Sequence, residues 1–316
     1  MESLNQTARS VTAGILTRIP WFRGKGRIAA AINKRFPPTS SGAVARARMR
    51  LGYEMTVDLR AQTEFLAYYT GEYDTRTISN VLRLVEPQWV VLDVGANIGF
   101  WTIPLAKTLK GFGSLHCFEP VPSNFRLLGV NVERNGVAET VHMHQLGLSD
   151  RSGKVQISLR EDFEEGSETG NAAIVIDRDD SRFQCVQIEV RPLDELFDSL
   201  GLKRLDFVKV DIEGHEDRFL SGAAQVIDRF RPILFMEIND RYYERRGLDP
   251  TTLFENWLRE HSYLAVVRGT NQWRLDDLRN RRGKLNDVFF LPRETARKSM
   301  ERLEPGLKVS HLYRGF

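Results

Sequence analysis

An apolar run, Val90-Val-Leu, passes into Asp93-Val-Gly-Ala-Asn-Ile-Gly99 and then resumes with helical spacing through Lys107. A strand, a tight loop and a helix start follow from that order. Asp93, Gly95, Asn97 and Gly99 lie two apart, so a carboxylate stands at the strand end and the loop can lay bare backbone against a ligand. Glycine at 95 and 99 leaves out the side chains that close approach forbids, and Gly99 also lets the helix sit near the sheet. Twenty-four residues after Gly95, the apolar stretch beginning at Ser114 ends on Glu119 and Pro120. An acid at the end of the second strand of such a unit takes the ribose hydroxyls of an adenosine group. Together the two markers predict a nucleoside-bearing ligand.

A second chemical centre, Asp211-Ile-Glu-Gly-His-Glu216, follows a strand at 205–210 that reads as apolar throughout. The strand end delivers Asp211 to the carboxyl edge of the sheet, where open α/β sheets bind ligands, and Gly214 turns the chain so that His215 can point back. An imidazole of ordinary pKa suits general-base duty, with Asp211 or Glu213 to orient its ring. The same two acids could instead cap the helix that begins near His215, because carboxylates are favoured at helix starts. Glu216 is expected on the solvated face of that helix. Glu237 and Asn239 end the next strand and could join the rim. With Asp211 and His215 they could also compose an oxygen-rich magnesium site, which is the less favoured arrangement.

The elements that must position these groups alternate strand with helix, which implies a parallel sheet covered on both faces. Helices are expected at 122–135, 194–200, 217–230 and 251–261. Strands are expected at 141–148, 155–159, 186–193 and 232–238, with a closing antiparallel pair at 263–267 and 287–291. Residues 161–180 form a polar, acidic insertion, expected as a mobile flap over the site. The expected organisation is a basic arm over 1–52, a collar or lid over 53–85, the main α/β domain over 86–292 and a tail over 293–316.

With 316 residues and 41% hydrophobic content, the chain can bury a sizeable core without disulfide staples. Its two cysteines, Cys117 and Cys185, read as buried reduced thiols, which points to the cytoplasm. Residues 1–60 carry eleven Lys and Arg against three Asp and Glu, so the net charge of +3 belongs to the front segment. A phosphate-bearing or anionic-membrane partner would suit it. The segment from Val11 is too short to span a bilayer, although Ile19, Trp21 and Phe22 could press into a lipid interface. Neither a transmembrane span nor a cleaved signal peptide is expected.

With both centres placed, the chain resembles the FkbM-type methyltransferases, a family of S-adenosylmethionine-dependent enzymes with a Rossmann-like fold. The resemblance covers 74–292 and rests on four stretches. They are Asp93-Val-Gly-Ala-Asn-Ile-Gly99, Phe118-Glu-Pro120 with Pro122 and Asn124, Gly147-Leu-Ser-Asp150 with Gly153, and Lys209-Val-Asp-Ile-Glu-Gly-His-Glu216. It implies a seven-stranded, mostly parallel sheet with one reversed strand and helices on both faces. It also implies methyl transfer to an oxygen of a sugar, polyketide or related hydroxylated molecule, here with a preference for a glycolipid, polysaccharide or glycosylated metabolite. S-adenosylmethionine would then lie against Asp93, Gly95, Asn97 and Gly99, with Glu119 on the ribose and Gly147 and Leu148 flanking the adenine. Asp150 would stabilise its own turn. Proton removal at the rim would fall to Asp211, His215 or Glu213, and no metal ligand set is assigned.

Two other enzyme classes share parts of this pattern. An NAD-dependent oxidoreductase has the same strand, glycine loop and distal acid, but Asn97 stands where a dinucleotide fingerprint needs its middle glycine, and the second centre has no place in that plan. A nucleic-acid methyltransferase or binder would use the basic arm with Trp21, Phe22 and Phe36, yet no recognised nucleic-acid module is present. A scaffold that has lost its chemistry is a third alternative, and retention of the acids at both centres argues against it.

Overall fold

The computed structural model describes residues 2–20, 22–39, 43–159, 167, 172–174, 183–269, 272–281, 283 and 285–303. Two helices, α1 (Glu2–Leu16) and α2 (Lys25–Arg35), precede an antiparallel hairpin of β1 (Val44–Arg48) and β2 (Glu54–Asp58). The boundary expected at residue 52 falls inside that hairpin. Both helices pack on α3 (Gln62–Thr70), and α4 (Thr75–Leu84) buries Ile78, Val81 and Leu84 one turn apart. Two cations of the basic arm are structural ties: Arg9 donates to the carbonyls of Phe36 and Pro37 at 3.2 and 3.0 Å, and Lys25 to those of Ile19 and Thr70 at 2.9 and 3.2 Å. Trp21 lies outside the described residues.

The core begins with β3 (Val90–Val94) and α5 (Thr102–Leu109), then β4 (Ser114–Phe118), α6 (Pro122–Arg134) and β5 (Val141–His144). The chain then builds β6 (Gly147–Leu148), β7 (Gly153–Leu159), β8 (Ala172–Ile174) and β9 (Cys185–Arg191), followed by α7 (Leu193–Leu196) and β10 (Phe207–Val210). After it come α8 (Glu216–Gly222), α9 (Ala224–Phe230), β11 (Ile233–Glu237), α10 (Asp240–Arg245) and α11 (Pro250–Glu260). The last elements are β12 (Tyr263–Arg268), β13 (Trp273–Leu275), β14 (Asp287–Pro292) and α12 (Ala296–Leu303).

The main sheet runs β13-β12-β14-β11-β10-β3-β4-β5. Only β14 and β13 run against the other strands. Among the described residues that makes eight strands, two of them reversed, where seven with one reversed were expected. The extra strand exists because Trp273 is buried against Phe235 and Phe289, which folds the chain back along β12. Side chains alternate across the sheet: on β3, Val91 joins the core on one face, Leu92 and Val94 the core on the other.

The single strand expected at 141–148 is broken. Leu146 donates its N–H to the carbonyl of His144 at 2.9 Å, and the chain leaves for a second sheet of order β6-β9-β7-β8. The apolar face of that sheet, with Ile157, Ile188 and Val190, packs around Val121. Of the expected flap at 161–180, only Ser167 and β8 fall within the described residues, and β8 pairs with β7. Cys117 is buried, Cys185 is half-buried, and both are free thiols. No helix among the described residues is long and apolar enough to cross a membrane.

Candidate active site

Strand order reverses between β3 and β10, and a crevice opens there beyond the carboxyl ends of the strands. Of the ten residues picked from sequence, Gly95, Asn97, Glu119, Gly147 and Leu148 line one cavity together with Asp211, Glu213 and His215. Asp93 and Gly99 are not among its walls.

Gly95 has φ +76°, and a Cβ placed on it would lie 1.8 Å from the carbonyl oxygen of Asp211. Its bareness therefore lets the two loops touch, in addition to opening backbone toward the cavity. Asp93 lies beneath the loop with no exposed surface. Its Oδ2 accepts from the Thr102 hydroxyl at 2.6 Å, and its Oδ1 sits 3.3 Å from Lys209 Nζ. Asp93 and Lys209 are register partners across β3 and β10, so the pair is built into the sheet. Lys209 also donates to the carbonyl of Gly95 at 2.8 Å and stands 3.8 Å from Asp211. Burial opposes the lysine's charge, but the carboxylates of Asp93 and Asp211 outweigh it and raise its pKa. The strand at 205–210 is thus not apolar throughout.

Glu119 is 4% exposed and braces the first loop: one oxygen accepts the N–H of Asn97 at 2.8 Å and the other that of Val121 at 2.9 Å. Burial pushes its pKa up to about 7 even against those bonds. A carboxylate has about four acceptor sites, and with the Asn124 side chain also bonded to it one remains for a ribose hydroxyl.

Glu216 is where sequence reasoning fails most clearly. It was expected on a solvated face, yet it has no exposed surface. It accepts the N–H groups of Ile212 and Gly214, both at 3.2 Å, and the Tyr243 hydroxyl at 2.5 Å. This carboxyl closes the second loop from inside. Gly214, with φ +87°, is required because a Cβ there would lie 2.1 Å from that of Tyr242. The residue at the cap position of α8 is His215, whose own side chain makes no cap hydrogen bond.

His215 departs from the imidazole of ordinary pKa that was expected. It is 7% exposed, and its Nδ1 has no hydrogen-bond partner among the described residues. Burial, with help from Arg246, lowers its pKa to about 4, so the ring is neutral at physiological pH. Asp211 moves the other way, because burial and Asp93 outweigh the lowering by Lys209 and raise its pKa. Glu237 is pushed up to about 9, first by the charge of Asp211. Its side chain meets solvent, so crowding by like charge is the cause to weigh most. Asn239 is turned to another use: its side chain accepts the Arg241 N–H as the cap of α10. Among the described residues no group of three His, Cys, Asp or Glu is arranged to hold a metal ion.

Several walls had gone unassigned. Lys209 carried a signal, a lone charge in the four-residue strand Phe-Val-Lys-Val. Tyr73 carried none: it comes from the segment between α3 and α4 and stacks on Phe100 at 4.2 Å, and both rings line the cavity. The small sheet adds Ile157, Ile188 and Val190 as an apolar side.

The sequence pattern described as the methyltransferase FkbM domain matches residues 93–265, more than half of the chain. AMB antimetabolite synthetase AmbE of Pseudomonas aeruginosa is 28% identical in an alignment of 218 positions that covers 58% of this chain and 10% of that protein. The 2-O-methyltransferase NoeI of Sinorhizobium fredii is 24% identical, over 51% of this chain and 68% of its own length. Hexuronic acid methyltransferase AglP of Haloferax volcanii is 30% identical, over 56% of this chain and 66% of its own. The chain thus spans a tenth of the first relative and about two thirds of the other two.

Proposed function

Because the chain belongs to the FkbM methyltransferase family, we propose that this methyltransferase uses S-adenosylmethionine to methylate a hydroxyl of a sugar or of a glycosylated lipid, polymer or metabolite. The names of two relatives support that acceptor class, one specifying an oxygen and the other a sugar acid. The residues present suit the donor. Gly95 and Asn97 offer close backbone, Glu119 keeps an acceptor site for a ribose hydroxyl, and Gly147 and Leu148 with the apolar wall suit an adenine. When bound, the donor supplies an electrophilic methyl carbon on a positively charged sulfur.

The protein's own work is alignment and proton removal. The observation that carries the reading is Asp211: it stands at the end of β10 in the cavity that also holds Glu119, and its pKa is raised rather than lowered. A carboxylate so placed takes the proton from the acceptor hydroxyl. Lys209 holds Asp211 and the Gly95 carbonyl in one frame. Tyr73 and Phe100 keep water from that end of the cavity, and neutral His215 serves as a hydrogen-bonding wall rather than as the base.

Isothermal calorimetry with S-adenosylmethionine and S-adenosylhomocysteine tests the donor, and no heat with either would sink the reading. Asp211→Asn tests the base. We expect turnover of isotopically labelled donor on a cell extract to fall by roughly 100-fold or more, with donor affinity changed only a few-fold.

A further inference from the structure

We propose that the outer face of α1 and the turn after it dock on an anionic lipid bilayer. Val11 and Ile15 stand one helical turn apart and are 57% and 54% exposed, while Ile19 and Phe22 in the turn are 39% and 38% exposed. The face of α1 that the fold uses is a different one, with Arg9, Ala13 and Leu16 buried. Single exposed aliphatics are ordinary on a protein surface, but a row along one helix and its exit marks a contact.

The row is carried on fixed backbone. Lys25 donates to the carbonyls of Ile19 and Thr70, and Arg50 to those of Thr17 and Ile19. These bonds tie the end of α1 to the end of α3.

Charge identifies the partner. Residues 1–53 contain ten Lys and Arg and a single acid, Glu2. Arg9 and Lys25 are consumed inside, but Arg18, Arg23, Arg27, Lys34 and Arg35 are exposed, and Arg18 and Arg23 adjoin Ile19 and Phe22 in the chain. Cations that meet headgroups beside aliphatics that enter the acyl boundary are the composition of an interfacial helix. A second copy of the chain would bring two cationic faces together, and RNA would leave the aliphatic row in water. The docking surface also reaches the cavity by a short path: Thr70, which Lys25 grips, lies three residues before Tyr73. Docking is independent of the methyl-transfer reading, so the two can fail separately.

The full chain is sedimented with vesicles of phosphatidylcholine alone or with about 30% phosphatidylglycerol. The salt is raised from about 0.1 M to about 1 M, which shortens the screening length from about 10 Å to about 3 Å. We expect binding to the anionic vesicles, at least tenfold weaker on neutral vesicles and at high salt. The double variant Val11→Glu with Ile15→Glu should lose at least tenfold in binding. Its melting temperature should stay within about 2 °C, because both side chains are already in water. Arg18→Glu with Arg23→Glu should weaken anionic binding while leaving residual apolar adsorption. Three results would each overturn the proposal: no binding to anionic vesicles, equal binding by the Val11 and Ile15 variant, or a wild-type dimer in light scattering that this variant dissociates.

Discussion

The loop after β3 and the loop after β10 are written in similar residues, an aspartate near a strand end and a glycine with positive φ, yet their acids do opposite work. Asp93 is inside β3, paired in register with Lys209, and has no exposed surface. Asp211 is one residue past β10 and faces the cavity. The bracing carboxylates differ too: Glu119 reaches the first loop from the neighbouring strand, whereas Glu216 braces the second from within it. An acid whose oxygens are taken by backbone N–H groups or a buried lysine maintains shape. The acid left over at the strand end is the one available for chemistry. An offset of two residues against the strand end separates the two fates.

The largest expected effect breaks both loops at once. In Gly95→Ala the new Cβ would collide with the Asp211 carbonyl, and alanine disfavours the φ of +76°. We expect the variant to lose donor binding in calorimetry and to be destabilised by several kcal/mol, roughly the size of an overpacked core with added backbone strain. Normal donor binding by Gly95→Ala would mean that the loops are not in contact.

Next in size is Lys209→Met, which removes the strut the two loops share. Asp93 would be left buried and uncompensated, a loss of about 3–5 kcal/mol measured by denaturant unfolding. Adding Asp93→Asn should return part of that stability, since the stranded charge goes with it. If the double variant is as unstable as the single one, the ion pair is not what joins the loops.

The first loop was far more legible in the sequence than the second, and the reason is physical. Strand period, glycine punctuation and the distance to Glu119 are local signals, and they placed β3, β4, α6 and the cavity's first wall. Glu216 could not be read this way. An acid after a glycine at a helix start has the composition of a solvated cap, and its hydrogen bond to Tyr243 is made 27 residues later in the chain. Tyr73 is equally silent, because an aromatic in a collar has no spacing that marks it for a cavity. The strand break after His144 and the added β13 follow from packing against sheets formed elsewhere, which the pattern 141–148 does not contain. The basic arm was read from its charge and its apolar and aromatic residues, which did not reveal that Arg9 and Lys25 are interior ties.

His215 gives the smallest expected effect and the finest test of the division between shape and chemistry. Its pKa of about 4, set chiefly by burial, leaves it neutral and a weak proton acceptor at neutral pH. His215→Asn should therefore lower turnover by less than about tenfold, against the far larger loss for Asp211→Asn. The same shift sets a pH signature in stability. The unfolded imidazole takes up its proton near pH 6.5 and the folded one only near pH 4, so the unfolded state binds more protons between those values. Stability from this group is complete above about pH 6.5 and falls as the pH drops toward 4, by at most roughly 3 kcal/mol. Denaturant unfolding of both proteins at about pH 7.5 and about pH 4.5 should show the wild type losing more stability on acidification than His215→Asn. If instead the asparagine variant loses turnover as severely as Asp211→Asn while its acid sensitivity matches the wild type, the imidazole is titrating in the reaction rather than lining it. Proton removal would then move from the end of β10 to the start of α8.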